Sequence, residues 1–152
     1  MPTLEEGFAS WSSNAAALTP HFGSGVNARI YPLAIPQEQA WVTNAIPAVA
    51  LVMMTFRQSK RITQKTFRAR SSHARKYLEI MIWSLDYMKA KQAAQAFFQA
   101  FDNYDEQQGA MGGVTVSYCE CLDEEDVVDD EKFPGSLLYA VRSEYLIDFV
   151  EV

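Results

Sequence analysis

The sequence predicts an α+β fold: a single domain, residues 1–152, with a central four-stranded sheet, antiparallel or mixed. An N-terminal helix and one long helix pack on that sheet. Three observations carry this expectation. The chain is 152 residues long and 49% hydrophobic, enough for one real core. Within residues 77–104 the apolar period changes from two to about 3.6, the mark of a strand running into a helix. Apolar stretches near 47–57, 114–122 and 139–150 supply further strands.

The change of period is the organising feature. Tyr77, Glu79, Met81, Trp83 and Leu85 fall on one side of a strand, and Leu78, Ile80, Ile82 and Ser84 on the other. After Asp86, a suitable N-cap, a helix over 88–104 gathers Ala90, Ala94, Phe97, Phe98, Phe101 and Tyr104 into one stripe. The expected core is Phe97, Phe98 and Phe101 packed on the sheet, with Trp83 and Leu51 contributed by strands.

The remaining elements follow in chain order. Leu4, Phe8, Trp11, Ala15 and Leu18 predict a helix over 3–20, capped by Thr3 and ended by Pro20. Gly23, Ser24 and Gly25 make a turn, and Arg29 to Pro32 a short extended piece. Ile46 to Phe56 is a strand apolar on both faces, so it is either covered twice within the chain or covered once by a neighbouring subunit. In the strand over 114–122, Val114, Val116, Tyr118, Glu120 and Leu122 share one face. In the last strand, Val141, Ser143, Tyr145, Ile147 and Phe149 face one way and Arg142, Glu144, Leu146 and Asp148 the other.

Charge is segregated, against a net of −6. Residues 57–76 hold Arg57, Lys60, Arg61, Lys65, Arg68, Arg70, Arg75 and Lys76, eight of the thirteen basic residues, and no acid. They are expected to form a flexible basic loop over 58–76, either solvated or ordered by a partner. Residues 120–131 supply eight of the nineteen acids, among them Asp123, Glu124, Glu125, Asp126, Asp129 and Asp130. An acidic loop over 123–136 is expected, with three uses open to it: solvation, a weak divalent-cation cluster, or pairing with a basic surface. Its spacing does not match a calcium loop. Phosphate attracts a basic run, but Phe67 alone interrupts this one, so nucleic acid is not the expected partner.

Few residues point to chemistry. Cys119 and Cys121 are expected to be reduced structural thiols, because neither histidine lies near them and no second cysteine pair exists. The chain has no nucleophile elbow, zinc-protease helix or dinucleotide fingerprint, so the expectation is a protein without catalysis, metal or cofactor. The first residues lack the basic and apolar regions of a signal peptide, and no apolar run is long enough for a membrane span. Synthesis in the cytoplasm without membrane association is expected. Oppositely charged segments of one chain can meet head to tail between copies, and such contacts make rings when the rotation closes.

Taken in order, the N-terminal helix, the Arg29-Ile30-Tyr31-Pro32-Leu33 segment with Pro36-Gln37 after it, the strand from Pro47 to Phe56, the strand-to-helix unit from Tyr77 to Tyr104 and the closing strand from Tyr139 to Phe149 resemble one family. It is that of the tail terminator, or tail-completion, proteins of long-tailed bacteriophages. The likeness spans nearly the whole chain and lies in the order and lengths of weak local motifs. The dense basic and acidic runs depart from the family pattern. The resemblance implies a structural virion protein of the tail or neck, made in the host cytoplasm. It would form a homo-oligomeric ring, commonly a hexamer, on the last tail tube subunits, stop tube polymerisation and dock the head-completion or connector protein. Three other roles stay open: a head-completion or stopper protein on the portal side, a nucleic-acid-binding protein using the 57–76 run, and a small enzyme. The subunit or partner interface would draw on Arg57, Lys60, Arg61, Lys65, Arg68, Arg70 and Arg75 and on Asp123, Glu124, Glu125, Asp126, Asp129 and Asp130.

Overall fold

The computed structural model describes residues 3–33, 52–65, 70–129 and 138–150. Its elements run α1 (Leu4–Asn14), α2 (Thr19–Phe22), β1 (Ile30–Pro32), β2 (Val52–Lys65), β3 (Arg70–Ser84), α3 (Tyr87–Phe101), β4 (Val116–Asp129) and β5 (Leu138–Val150).

Helix α1 starts at a capping box. The Glu6 N–H donates to Thr3 Oγ1 at 3.2 Å and the Thr3 N–H donates to Glu6 Oε2 at 2.8 Å, satisfying two otherwise orphaned amides. The helix ends at Asn14, earlier than expected, and Pro20 lies in the first turn of α2 rather than at a helix end. Proline is tolerated there because a first-turn amide has no helical acceptor to lose.

Among the described residues five strands form the sheet, in the order β1-β2-β3-β5-β4, not the expected four. The extra strand is the Arg29–Pro32 segment. Ile30 is level with Met54 in a parallel pairing, and the Met54 N–H donates to the Arg29 carbonyl at 2.9 Å. The Arg29 side chain reinforces this, donating to the carbonyls of Val52 and His21. The other pairings are antiparallel, so the sheet is mixed.

β3 runs into α3 as the change of period predicts. Asp86 Oδ1 accepts from the N–H groups of Met88 and Lys89, capping the helix. One sheet face, with Met54, Phe56, Leu78, Ile80, Ile82, Val141, Tyr145 and Ile147, packs against Ala90, Ala94, Phe97 and Phe101 of α3 and Leu4 and Phe8 of α1. Phe8 sits between layers, 4.9 Å from Phe56 and 5.4 Å from Phe101 in edge-on contacts. Phe98 is not in this core. It is 36% exposed, because the helix turns its position about 100° from Phe97 and off the buried stripe.

The opposite face carries a second buried cluster of Met53, Trp83 and Ala140, in which Trp83 Nε1 donates to Thr55 Oγ1 at 3.0 Å. Trp83 is therefore core, but on the face away from α3. Residues 52–56 are buried on both faces within a single chain, so that part of β2 needs no neighbouring subunit to cover it. Leu51 lies outside the described residues.

The two charged runs correct the loop expectations. β2 continues to Lys65 and β3 begins at Arg70, so most of 58–76 is a long hairpin; residues 66–69, with Arg68, lie outside the described residues. β4 continues through Asp123 to Asp129, while Asp130 to Ser136 lie outside. The strands persist because each has a backbone partner over its length, β3 for β2 and β5 for β4, whatever the side chains. Irregularities between Val116 and Tyr118 and between Cys121 and Asp123 also shift the faces of β4. Val116 and Cys119 are both buried and Tyr118 is exposed, which a strict alternation forbids.

Candidate functional site

The charged residues assemble on the sheet face away from α3. Arg57, Glu79, Glu144 and Asp123 occupy one rung across β2, β3, β5 and β4, and Arg142 lies two residues from Glu144. Arg57 grips Glu79 with two bonds, Nε to Oε1 at 3.0 Å and an Nη to Oε2 at 3.1 Å. Arg142 Nε donates to the same Oε2 at 3.1 Å, and its other nitrogens approach Asp123, Glu125 and Glu144 within 3.5–3.7 Å. The result is an ionic ladder across the sheet.

Its centre is Glu79, whose side chain is 9% exposed. Burial works to raise its pKa, but hydrogen bonds and charge from Arg57 and Arg142 outweigh that and hold the carboxyl below its ordinary value. Burial is the largest single influence on Arg142 and acts to lower its pKa, but the Glu79 hydrogen bond and the charges of Glu79, Glu125 and Glu144 together outweigh it and hold the guanidinium above its ordinary value. Neither Glu79 nor Arg142 stands out in the sequence. The one legible signal is a lone acid inside the apolar run of β3.

A smaller set of contacts ties α3 to β4. Tyr87 Oη donates to Asp126 Oδ2 at 2.7 Å, and Lys91 Nζ to Asp126 Oδ1 at 3.1 Å. Those bonds lower the Asp126 pKa, Tyr87 contributing most. Lys91 also lies 3.9 Å from Glu124. At the other end of α3, Asp102 Oδ1 accepts the Cys121 N–H at 2.9 Å and the Asn103 N–H donates to the Cys119 carbonyl at 3.0 Å.

The predicted interface residues therefore divide. Among the side chains described, Arg142 and Lys91 pair with Asp123, Glu125 and Asp126 of the acidic run. Arg57 turns to Glu79, Arg75 to Asp148 at 3.5 Å, and Lys76 to Glu5 of α1 at 2.9 Å. Lys60, Arg61 and Lys65 lie along β2 and Arg70 opens β3, while Asp129 closes β4.

The edges of the sheet differ in how they are covered. Along β4, Asp102 and Asn103, just after α3, bond Cys121 and Cys119, and no strand pairs with 123–129 on the side away from β5 among the described residues. Along β2, β1 is level with Met54 to Phe56, and no described strand pairs with 57–65 on that side. Both uncovered halves start at the Glu79 rung and run in opposite directions from it. Six large apolar or aromatic side chains are exposed on β4 and α3: Tyr118, Leu122 and Val128, and Tyr87, Met88 and Phe98.

No group of three or more metal-ligating side chains converges among the described residues. Cys119 and Cys121 are unbridged, and burial pushes the Cys119 thiol far above its ordinary value, so it stays protonated. No helix among the described residues is long and apolar enough to cross a membrane.

No protein-family model matches the chain, and no curated protein matches it. Among solved structures it is similar to a chain in the virion of a native gene transfer agent particle. The two share 11% sequence identity at a TM-score of 0.64, over 95% of this chain and 91% of that one. At that identity the likeness establishes a shared fold.

Proposed function

We propose that this protein is a structural component of a phage-like particle, and specifically a ring-forming tail terminator. On this proposal it caps the tail tube, stops its polymerisation and offers the docking surface for the head. The observation that carries the general role is the fold shared, along nearly the whole length of both chains, with a chain of a gene transfer agent virion. The order of elements in the sequence, which resembles the tail terminator proteins, carries the specific one. Its output is binding and not catalysis: Glu79, the one buried carboxylate of the ladder, is held in ion pairs by Arg57 and Arg142, and the described residues assemble no nucleophile with a base. Its partners are further copies of itself, a hexamer being favoured, the tail tube protein and a connector or head-completion protein.

Electron microscopy of particles made without this protein tests the proposal. Unjoined heads and tails of abnormal length are expected, corrected by adding the purified chain. Tails of normal length that still fail to join would move the protein to the portal side, as a head-completion protein. Joined, infectious particles would exclude both roles.

A further inference from the structure

A ring needs a surface through which one copy holds the next, and the two sheet edges supply it. We propose that residues 123–129 of β4 receive residues 57–65 of β2 from a second copy of this chain, extending the sheet from copy to copy. The inference rests on the ring-forming role and names its contact.

Coverage of the edges comes first. A strand edge presents unpaired N–H and C=O groups and is a template for another strand. This fold closes one half of each outer edge, with the end of α3 over Cys119 and Cys121 and with β1 beside Met54 to Phe56. The other halves, 123–129 and 57–65, are left without a described strand partner, and they lie diagonally across the sheet.

Charge then selects the partner. The uncovered half of β4 reads DEEDVVD, and that of β2 reads RQSKRITQK. Two acidic edges repel each other and so do two basic ones, whereas acidic against basic attracts. A contact between different patches is heterologous, and repeats until it closes a ring or climbs as a filament. The diagonal placement displaces successive copies along the strands, and a register stagger of this kind is what a closed, tilted sheet requires.

Adhesion comes from elsewhere. Exposed ion pairs contribute little, so backbone bonds and apolar area must hold the contact. Leu122 and Val128 are 45% and 57% exposed on β4, and Tyr87, Met88 and Phe98 are exposed on α3, the helix whose Tyr87 and Lys91 bond Asp126 of the same edge. Half of an interface is thus already in place beside the acidic edge.

The test uses two variants, each blocked at one edge. Leu122→Arg with Val128→Arg puts cations on the β4 edge at side chains that are already exposed. Gln58→Pro acts on the β2 edge. The Met54 N–H donates to β1 and the Phe56 carbonyl accepts from Leu33, so the even positions of β2 as far as Gln58, where the register with β3 first shifts, aim their backbone away from β3. Proline at 58 therefore removes an outward N–H. Should it not fold, Lys60→Glu with Arg61→Glu replaces it.

Sedimentation at low salt should show wild-type self-association that weakens as salt rises. Each folded variant alone should associate at least roughly tenfold more weakly. An equimolar mixture of the two should form a one-to-one dimer and nothing larger, since each variant keeps one working edge. Three results would overturn the proposal: a β2-edge variant that dimerises alone, a mixture that fails to pair while the wild type associates, or a wild type monomeric up to its solubility limit. Association left intact by both variants, with duplex DNA binding lost on Lys60→Glu and Arg61→Glu, would overturn it in favour of a nucleic-acid surface. The particle phenotype without the protein is read separately, so the edge contact can fail while the tail role stands.

Discussion

Arg142 and Glu79 meet across β5 and β3, Nε donating to Oε2 at 3.1 Å, on the face of the sheet away from the helices. Arg57 holds the same carboxylate from the other side. Glu79 is buried, and with a single cation it would be an expensive group to keep charged. Two cations make it favourable. The pair also links the two hairpins of the sheet, since β2 and β3 supply Arg57 and Glu79 and the β4–β5 hairpin supplies Arg142.

The depressed Glu79 pKa predicts a sign for acid stability. A carboxyl whose folded pKa lies below its unfolded value contributes stability that is fully present above the unfolded value. That contribution fades as the pH falls below the ordinary 4.5 and through the lower folded value. Glu79→Gln should therefore cost about 1–3 kcal/mol at neutral pH, the scale of hydrogen bonds to charged groups. The difference from wild type should shrink toward zero as the solution is acidified. Denaturant melts of both proteins across that range measure it, and a cost unchanged by pH would contradict it.

The two adjacent phenylalanines of α3 should behave oppositely. Phe97 is 1% exposed and packs on Phe8, Phe101 and Tyr145. Phe97→Ala should cost about 3–5 kcal/mol. Phe98→Ala should stay within about 0.5 kcal/mol in the monomer, as exposed substitutions usually do. Paired urea melts decide this, and equal losses would return Phe98 to the core.

Gly7 is a packing contact. A Cβ there would lie 2.6 Å from the Met111 carbonyl oxygen and from Val114 Cγ2, where α1 crosses the 111–114 turn. Gly7→Ala should destabilise by about 1–3 kcal/mol despite the better helix propensity of alanine. A thermal melt showing stabilisation would mean that the turn gives way easily.

Removing the Asp86 cap should cost about 1 kcal/mol in Asp86→Ala, and little in Asp86→Asn, which keeps an acceptor for Met88 and Lys89. Equal losses in both would point to charge, not the cap bonds, as what matters at that helix end.

Some of this was readable in the sequence. The Asp86 cap, the switch of period after β3 and the inward face of β5 are local patterns, and local patterns survive in one dimension. β1 was hidden because three residues cannot display a period. The lengths of β2 and β4 were hidden because apolar alternation stops where the charge begins, although the backbone pairing does not. The irregularity before Asp123 moves the acidic residues between faces, and no residue type announces it. The Glu79 ladder depends on strand order and register, which place Arg57, Glu79 and Arg142 together from distant parts of the chain.

The most direct test of the tail-terminator role is to locate the chain in an assembled particle. Particles carrying a tagged copy would be imaged with a gold label by electron microscopy. One cluster of label at the head-proximal end of each tail, on joined particles and on free tails alike, is predicted. Label spread over the head shell, at the far tip of the tail, or on heads that lack tails would contradict it.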